Sequence, residues 1–134
     1  MPAGYSGTPL AKKLGLKPGM AVYAKGMPAS VKAEIGADAD VKYLAKPGKA
    51  LAAAHLFETK AKALESELKK LRGLLAPDGQ VWVSWPKKAA KVETDITEDT
   101  IRALALPLGF VDVKVCAVDE VWSGLKLVIR KELR

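Results

Sequence analysis

Five short runs rich in apolar and β-branched residues punctuate the chain: MAVYAK at 20–25, DVKYLA at 40–45, VWVSW at 81–85, FVDVKVCAV at 110–118 and LKLVIRK at 125–131. Helical stretches lie between most of them. Parallel strands are joined only through long crossovers, so this alternation predicts a parallel sheet covered by helices on both faces. The last two runs are separated only by 119–124 and must therefore be antiparallel neighbours.

The helices are read from caps and periodicity. Thr8-Pro9 has the form of an N-cap followed by proline at the first helical position, and Gly15 that of a C-terminal stop. ASVKAEI at 29–35 is a short helix ending at Gly36. Ala61, Leu64, Leu68, Leu71 and Leu75 recur at three- and four-residue spacings, with Thr59 placed to cap. Ala76-Pro77-Asp78-Gly79 is a turn. Thr97-Glu98-Asp99 starts a helix through IRALALPLG, with acids in its first turn and Gly109 at its end. LAAAHLFE, at 51–58, fits a buried strand or an extension of the helix that follows, and periodicity alone does not separate the two.

Composition bounds the function classes. The chain has 134 residues, 49% hydrophobic and 28% charged, which suits one globular domain spanning 1–134. The lone Cys116 excludes an internal disulfide and a multi-thiolate zinc site, and its place in VKVCAV predicts an inert, buried thiol. MPAGYSGTPL lacks the basic flank and apolar core of a leader, and no run is long enough to span a bilayer, so a cytoplasmic location and no membrane partner are expected. The net charge of +7 permits contact with nucleic acid. However, 18 of the 22 basic residues are dispersed lysines and only four are arginines, so the charge reads mainly as a solvated face and nucleic acid is not the expected partner.

Three strings carry a resemblance: GYSGTPLAKKLG at 4–15, LAPDGQVWVSWPKK at 75–88 and VDVKVCAVDEVWSGL at 111–125. Together they resemble a family of small bacterial proteins of unknown function; residues 20–60 match it loosely. More distantly, the layout is similar to a shortened class I methyltransferase fold. The resemblance implies that 51–57 is a strand. It also implies a single three-layer α/β Rossmann-like domain whose sheet runs second, first, third, fourth, last, fifth strand, with the C-terminal strand antiparallel. The family brings no established activity.

Cofactor chemistry of that fold needs a glycine-rich turn after the first strand and an acid at the end of the second. Here the turn is Lys25-Gly26-Met27-Pro28, with one glycine and a proline that lacks an amide donor. The second strand ends Leu44-Ala45-Lys46, and Asp38 and Asp40 lie at its other end. No cofactor is therefore expected. Nor are catalytic or metal-binding residues. His55, the only histidine, sits in AAAHLFE and reads as a core or edge residue with one hydrogen bond and not as a base. GYSG at 4–7 follows no strand and is not a nucleophile elbow. Asp95, Glu98 and Asp99 read as helix N-terminal charge.

In open α/β sheets ligands bind beyond the carboxyl ends of the strands, where strand order reverses. That directs attention to Lys25-Gly26, Glu58-Thr59 and the end of VWVSW. The antiparallel last strand should bring Asp119, Glu120, Trp122 and Ser123 against Ser84, Trp85, Pro86, Lys87 and Lys88, forming one rim with two tryptophans and paired charges. Trp82, on the other face from Trp85, should pack under a helix. The leading expectation is a non-catalytic binding or regulatory protein using the Trp85/Trp122 rim, with homo-oligomerisation possible through the second strand. The alternative is a divergent S-adenosylmethionine-dependent methyltransferase; nucleic-acid binding through positive charge is a weaker one.

Overall fold

The computed structural model describes residues 8–134; GYSG at 4–7 lies outside them. In chain order the regular elements are α1 (Leu10–Lys13), β1 (Ala21–Lys25), α2 (Ala29–Gly36), β2 (Lys42–Leu44), β3 (Leu51–Phe57), α3 (Ala61–Leu74), β4 (Leu75–Pro86), α4 (Glu98–Ala105), β5 (Phe110–Ala117) and β6 (Trp122–Ile129). The six strands form one sheet in the order β2-β1-β3-β4-β6-β5, as the expected layout requires. β2, β1, β3 and β4 pair in parallel; β6 runs antiparallel to both β4 and β5.

Segment 51–57 is thus a strand. Its Ala- and Leu-rich composition favours helix, but burial between β1 and β4 outweighs that weak preference. Leu51, Ala53, Ala54 and Leu56 are all buried. Both faces of the sheet are covered. On one, Ala54, Leu56, Val81 and Val83 pack with Leu64, Leu68 and Leu71 of α3 and Ile101 and Ala105 of α4. On the other, Val22, Ala53, Phe57 and Trp82 pack with Leu10 and Leu14 around α1 and Val31 and Ile35 of α2. Each fully buried leucine or isoleucine contributes about 1.5–3 kcal/mol.

Several local details depart from the sequence expectations. Thr8 does not cap α1; the cap residue is Pro9, without a side-chain bond. Gly15 does end the turn, at φ +68°. Thr59 does not cap α3 either. The amide of Ala61 donates instead to Asp95 Oδ1 at 2.6 Å, 34 residues away in sequence, so Asp95 serves α3 and not the start of α4. Thr97 caps α4 as expected, in a reciprocal box with Thr100. The turn expected at 76–79 does not form: β4 runs unbroken from Leu75, which pairs with Leu51, and the extra residues are taken up as a register shift before regular pairing resumes at Gln80↔Ala53. β6 begins at Trp122 and not at Leu125, because the β4 ladder continues through Ser84↔Gly124 to Pro86↔Trp122. No helix among the described residues is long and apolar enough to cross a membrane.

Candidate functional site

Strand order reverses between β1 and β3, whose outgoing connections lie on opposite faces: α2 follows β1, and α3 follows β3. Lys25 closes β1. Gly26 then turns with φ +71°, and a Cβ on it would lie 3.0 Å from the carbonyl oxygen of Phe57. The turn therefore hugs the end of β3, in a backbone conformation that glycine adopts without steric cost.

A compact charged cluster lies beside this turn. Lys25 Nζ donates to Glu58 Oε2 at 2.8 Å and stands 3.5 Å from Glu67 Oε1 of α3. Lys70 Nζ approaches the same Glu67 oxygen at 3.6 Å. Glu58 and Glu67 are each only 8% exposed, whereas the Lys25 side chain is 38% exposed. The hydrogen bond to Glu58 raises the Lys25 pKa above its usual value, against the opposing effect of desolvation. Glu67 Oε2 is buried and has no hydrogen-bond partner. A buried carboxylate oxygen left unmatched is costly and is a natural acceptor for an incoming cationic group. Sequence reasoning placed Lys25 and Glu58 at strand ends but did not connect them, and it passed over Glu67. The legible signal for Glu67 was an acid beside Leu64, Leu68 and Leu71 on an otherwise apolar helix face.

The expected rim is divided by the sheet. Opposed residues in a ladder share a face and successive residues alternate. Trp85 opposes Ser123, while Pro86 opposes Trp122. Trp85 accordingly packs against the α3/α4 core, and Trp122 lies on the other face, edge-on to Phe57 with ring centroids 5.1 Å apart. The two tryptophans therefore do not converge; the early start of β6 puts Trp122 into the ladder. The loop does approach β4, through Lys87 N–H to the carbonyl of Val121 at 2.7 Å. Asp119 Oδ1 accepts the amides of Val121 and Trp122, both at 2.8 Å, and so holds its own turn. Among the described residues neither Asp119 nor Glu120 forms an ion pair with Lys87 or Lys88. Ser84 is fully buried and bonded to His55 at 2.7 Å. Trp85, Pro86, Lys87 and Lys88 do share one feature, a cleft of about 410 Å³ that also meets Val92 and Ile96.

The remaining reactive side chains are occupied structurally. His55 stacks on Phe57 with centroids 4.3 Å apart, and burial drives its pKa down to about 3, so it is neutral at physiological pH. Cys116 is half-buried and not fully buried as expected; that burial still raises its thiol pKa. Glu98, Asp99 and Asp112 all meet Arg102. No cluster of three or more His, Cys, Asp or Glu side chains able to hold a metal ion occurs among the described residues.

Neither a family model nor a curated relative matches the chain. Solved structures do. A SAM-dependent methyltransferase from Aquifex aeolicus aligns at TM-score 0.62 and 16% identity, over 90% of this chain and 87% of that one. A Sulfolobus solfataricus protein described as a type 11 methyltransferase aligns at 0.60 and 13%, over 91% and 90%. LepI in complex with SAM aligns at 0.58 and 10%, over 90% of this chain but only 39% of LepI. At these identities the likeness establishes a methyltransferase-like Rossmann fold. The leading expectation of a non-catalytic binding or regulatory protein at the Trp85/Trp122 rim is corrected by this finding: the structures that share the fold include SAM-dependent methyltransferases and SAM or SAH complexes.

Proposed function

We propose that the protein is a divergent S-adenosylmethionine-dependent methyltransferase that takes the amino-acid end of the cofactor at the crevice between β1 and β3. One observation carries this reading: Lys25, Glu58 and Glu67 meet at the switch point of a fold shared with SAM-dependent methyltransferases, and one buried oxygen of Glu67 has no hydrogen-bond partner.

The amino-acid end of S-adenosylmethionine is a zwitterion. Lys25, the most exposed of the three central groups, is suited to its carboxylate. Glu67, with a buried oxygen that lacks a partner, is suited to its ammonium, and Glu58 holds Lys25 charged and in place. Gly26 keeps the adjoining turn free of a side chain. The cofactor supplies an electrophilic methyl group when bound; the chain's part is to fix one end of it. The ribose end departs from the usual pattern, because β2 runs out into Ala45-Lys46 with no acid.

Calorimetry with S-adenosylmethionine and S-adenosylhomocysteine tests this directly. Saturable binding of both is expected. Lys25→Met and Glu67→Gln should each weaken it by about tenfold, the equivalent of about 1.4 kcal/mol for one charge-assisted contact. Absence of heat from the wild-type protein at high micromolar ligand would end the proposal. Unchanged affinity in both variants, with unchanged melting curves, would remove these residues from it.

A further inference from the structure

The cleft at the carboxyl end of β4 has features that the switch-point cluster does not explain. It encloses about 410 Å³, within the range of small-molecule sites. Its floor is apolar: Trp85 is partly buried against the core, Pro86 and Ile96 are buried, and Val92 is 43% exposed at the mouth. Its rim is cationic. Lys87 and Lys88 line it, and neither has a carboxylate partner among the described residues. The acid on the same rim, Glu98, is already bonded to Arg102.

The cleft is also built firmly. Thr94, on its far wall, donates from Oγ1 to the carbonyl of Thr59 at 2.8 Å, and the amide of Asp95 donates to the same carbonyl at 3.1 Å. Lys87 is held by the hydrogen bond that its backbone N–H donates to the carbonyl of Val121. Thr59 directly follows Glu58, so the cleft wall is tied to the residue beside the charged cluster.

We infer that this cleft binds a small, flat organic anion, with its ring on the indole of Trp85 and its charge at Lys87 and Lys88. An apolar floor with an unmatched cationic edge selects a ligand of that shape and sign. The inference concerns binding and does not depend on what occupies the β1/β3 crevice. In the methyl-transfer reading, the cleft is the place for the second substrate.

Benzoate, with benzamide as its neutral counterpart, is the test ligand, and the full-length protein in the absence of S-adenosylmethionine is the sample. Two-dimensional 1H–15N NMR follows the Trp85 indole and the Lys87 and Lys88 amides. Benzoate should shift these signals saturably, and benzamide much less. The double variant Lys87→Gln/Lys88→Gln should weaken benzoate by about tenfold while leaving benzamide unchanged, the mark of a lost charge contact. The inference is overturned if benzoate at millimolar concentration leaves the Trp85 indole unmoved, if benzamide binds equally well, or if the double variant binds benzoate as the wild type does. Because S-adenosylmethionine binding is measured separately, failure here leaves the cofactor reading standing, and failure there leaves the cleft.

Discussion

The indole N–H of Trp82 donates to the carbonyl oxygen of Leu14 at 2.9 Å. Gln80 Nε2 donates to the same oxygen, also at 2.9 Å. Two alternate residues of β4, sharing a face, thus anchor the end of a four-residue helix too short to be stable alone. Trp82→Phe should cost about 1 kcal/mol, because Gln80 still satisfies the acceptor. Trp82→Ala should cost about 3–5 kcal/mol through the cavity it leaves. Urea unfolding midpoints of the two variants check the ratio; equal losses would mean that the hydrogen bond, and not the packing, dominates.

Much of this fold is legible in the sequence for a physical reason. Alternation of strand and helix restricts the topology, and Trp82 and Trp85 fall on opposite faces by strand parity alone. What is not legible depends on partners far apart in sequence. Asp95 reads as charge at the start of α4, yet its carboxylate serves Ala61. Trp122 reads as a loop residue because 119–124 reads as the connection between the last two strands. It lies in β6 because Gly124 leaves room for Trp82, where a Cβ would sit 3.2 Å from the Trp82 ring. The charged cluster was only half visible: Lys25 and Glu58 are strand-end residues whose proximity requires the β1/β3 pairing, and Glu67 requires the docking of α3.

His55 makes stability depend on pH. Its pKa is about 3 in the fold because of burial, against about 6.5 in an unfolded chain. The unfolded state therefore binds a proton as pH drops below about 6.5, while the folded state stays neutral. Stability should be full above that pH and should decline as pH falls towards 3, by at most about 1.4 kcal/mol per unit. Between about pH 5 and 6.5 carboxylates contribute little, and this is the only histidine in the chain. In that window the wild type should lose stability on acidification and His55→Gln should not. A wild-type curve as flat as the variant's would contradict the assignment.

Asp95 links the loop before α4 to the start of α3. Asp95→Ala removes the acceptor for the Ala61 amide and should destabilise by about 0.5–2 kcal/mol, the usual value of a helix cap. Asp95→Asn keeps an acceptor oxygen and should recover most of it. Hydrogen exchange at the Ala61 amide gives a local reading, with protection expected to fall in the alanine variant and to hold in the asparagine one.

Gly26 is the position where backbone and site requirements coincide. Its φ of +71° disfavours any side chain, by about 1–2 kcal/mol for an ordinary L-residue. The added Cβ would also stand 3.0 Å from the Phe57 carbonyl oxygen, a backbone atom at the carboxyl end of β3, a strand paired on both sides. Asparagine tolerates the left-handed conformation but carries the same Cβ, so the pair of variants separates the two effects. Gly26→Ala should lose both contributions, about 1–3 kcal/mol in all. Gly26→Asn should lose less, yet remain below wild type because the contact with Phe57 persists. Thermal melts order the three proteins, with the glycine most stable and the alanine least. Asparagine matching glycine would mean that the close approach to β3 relaxes at no cost. Lys25 would then be held in position by its ion pairs with Glu58 and Glu67, and not by the turn that follows it.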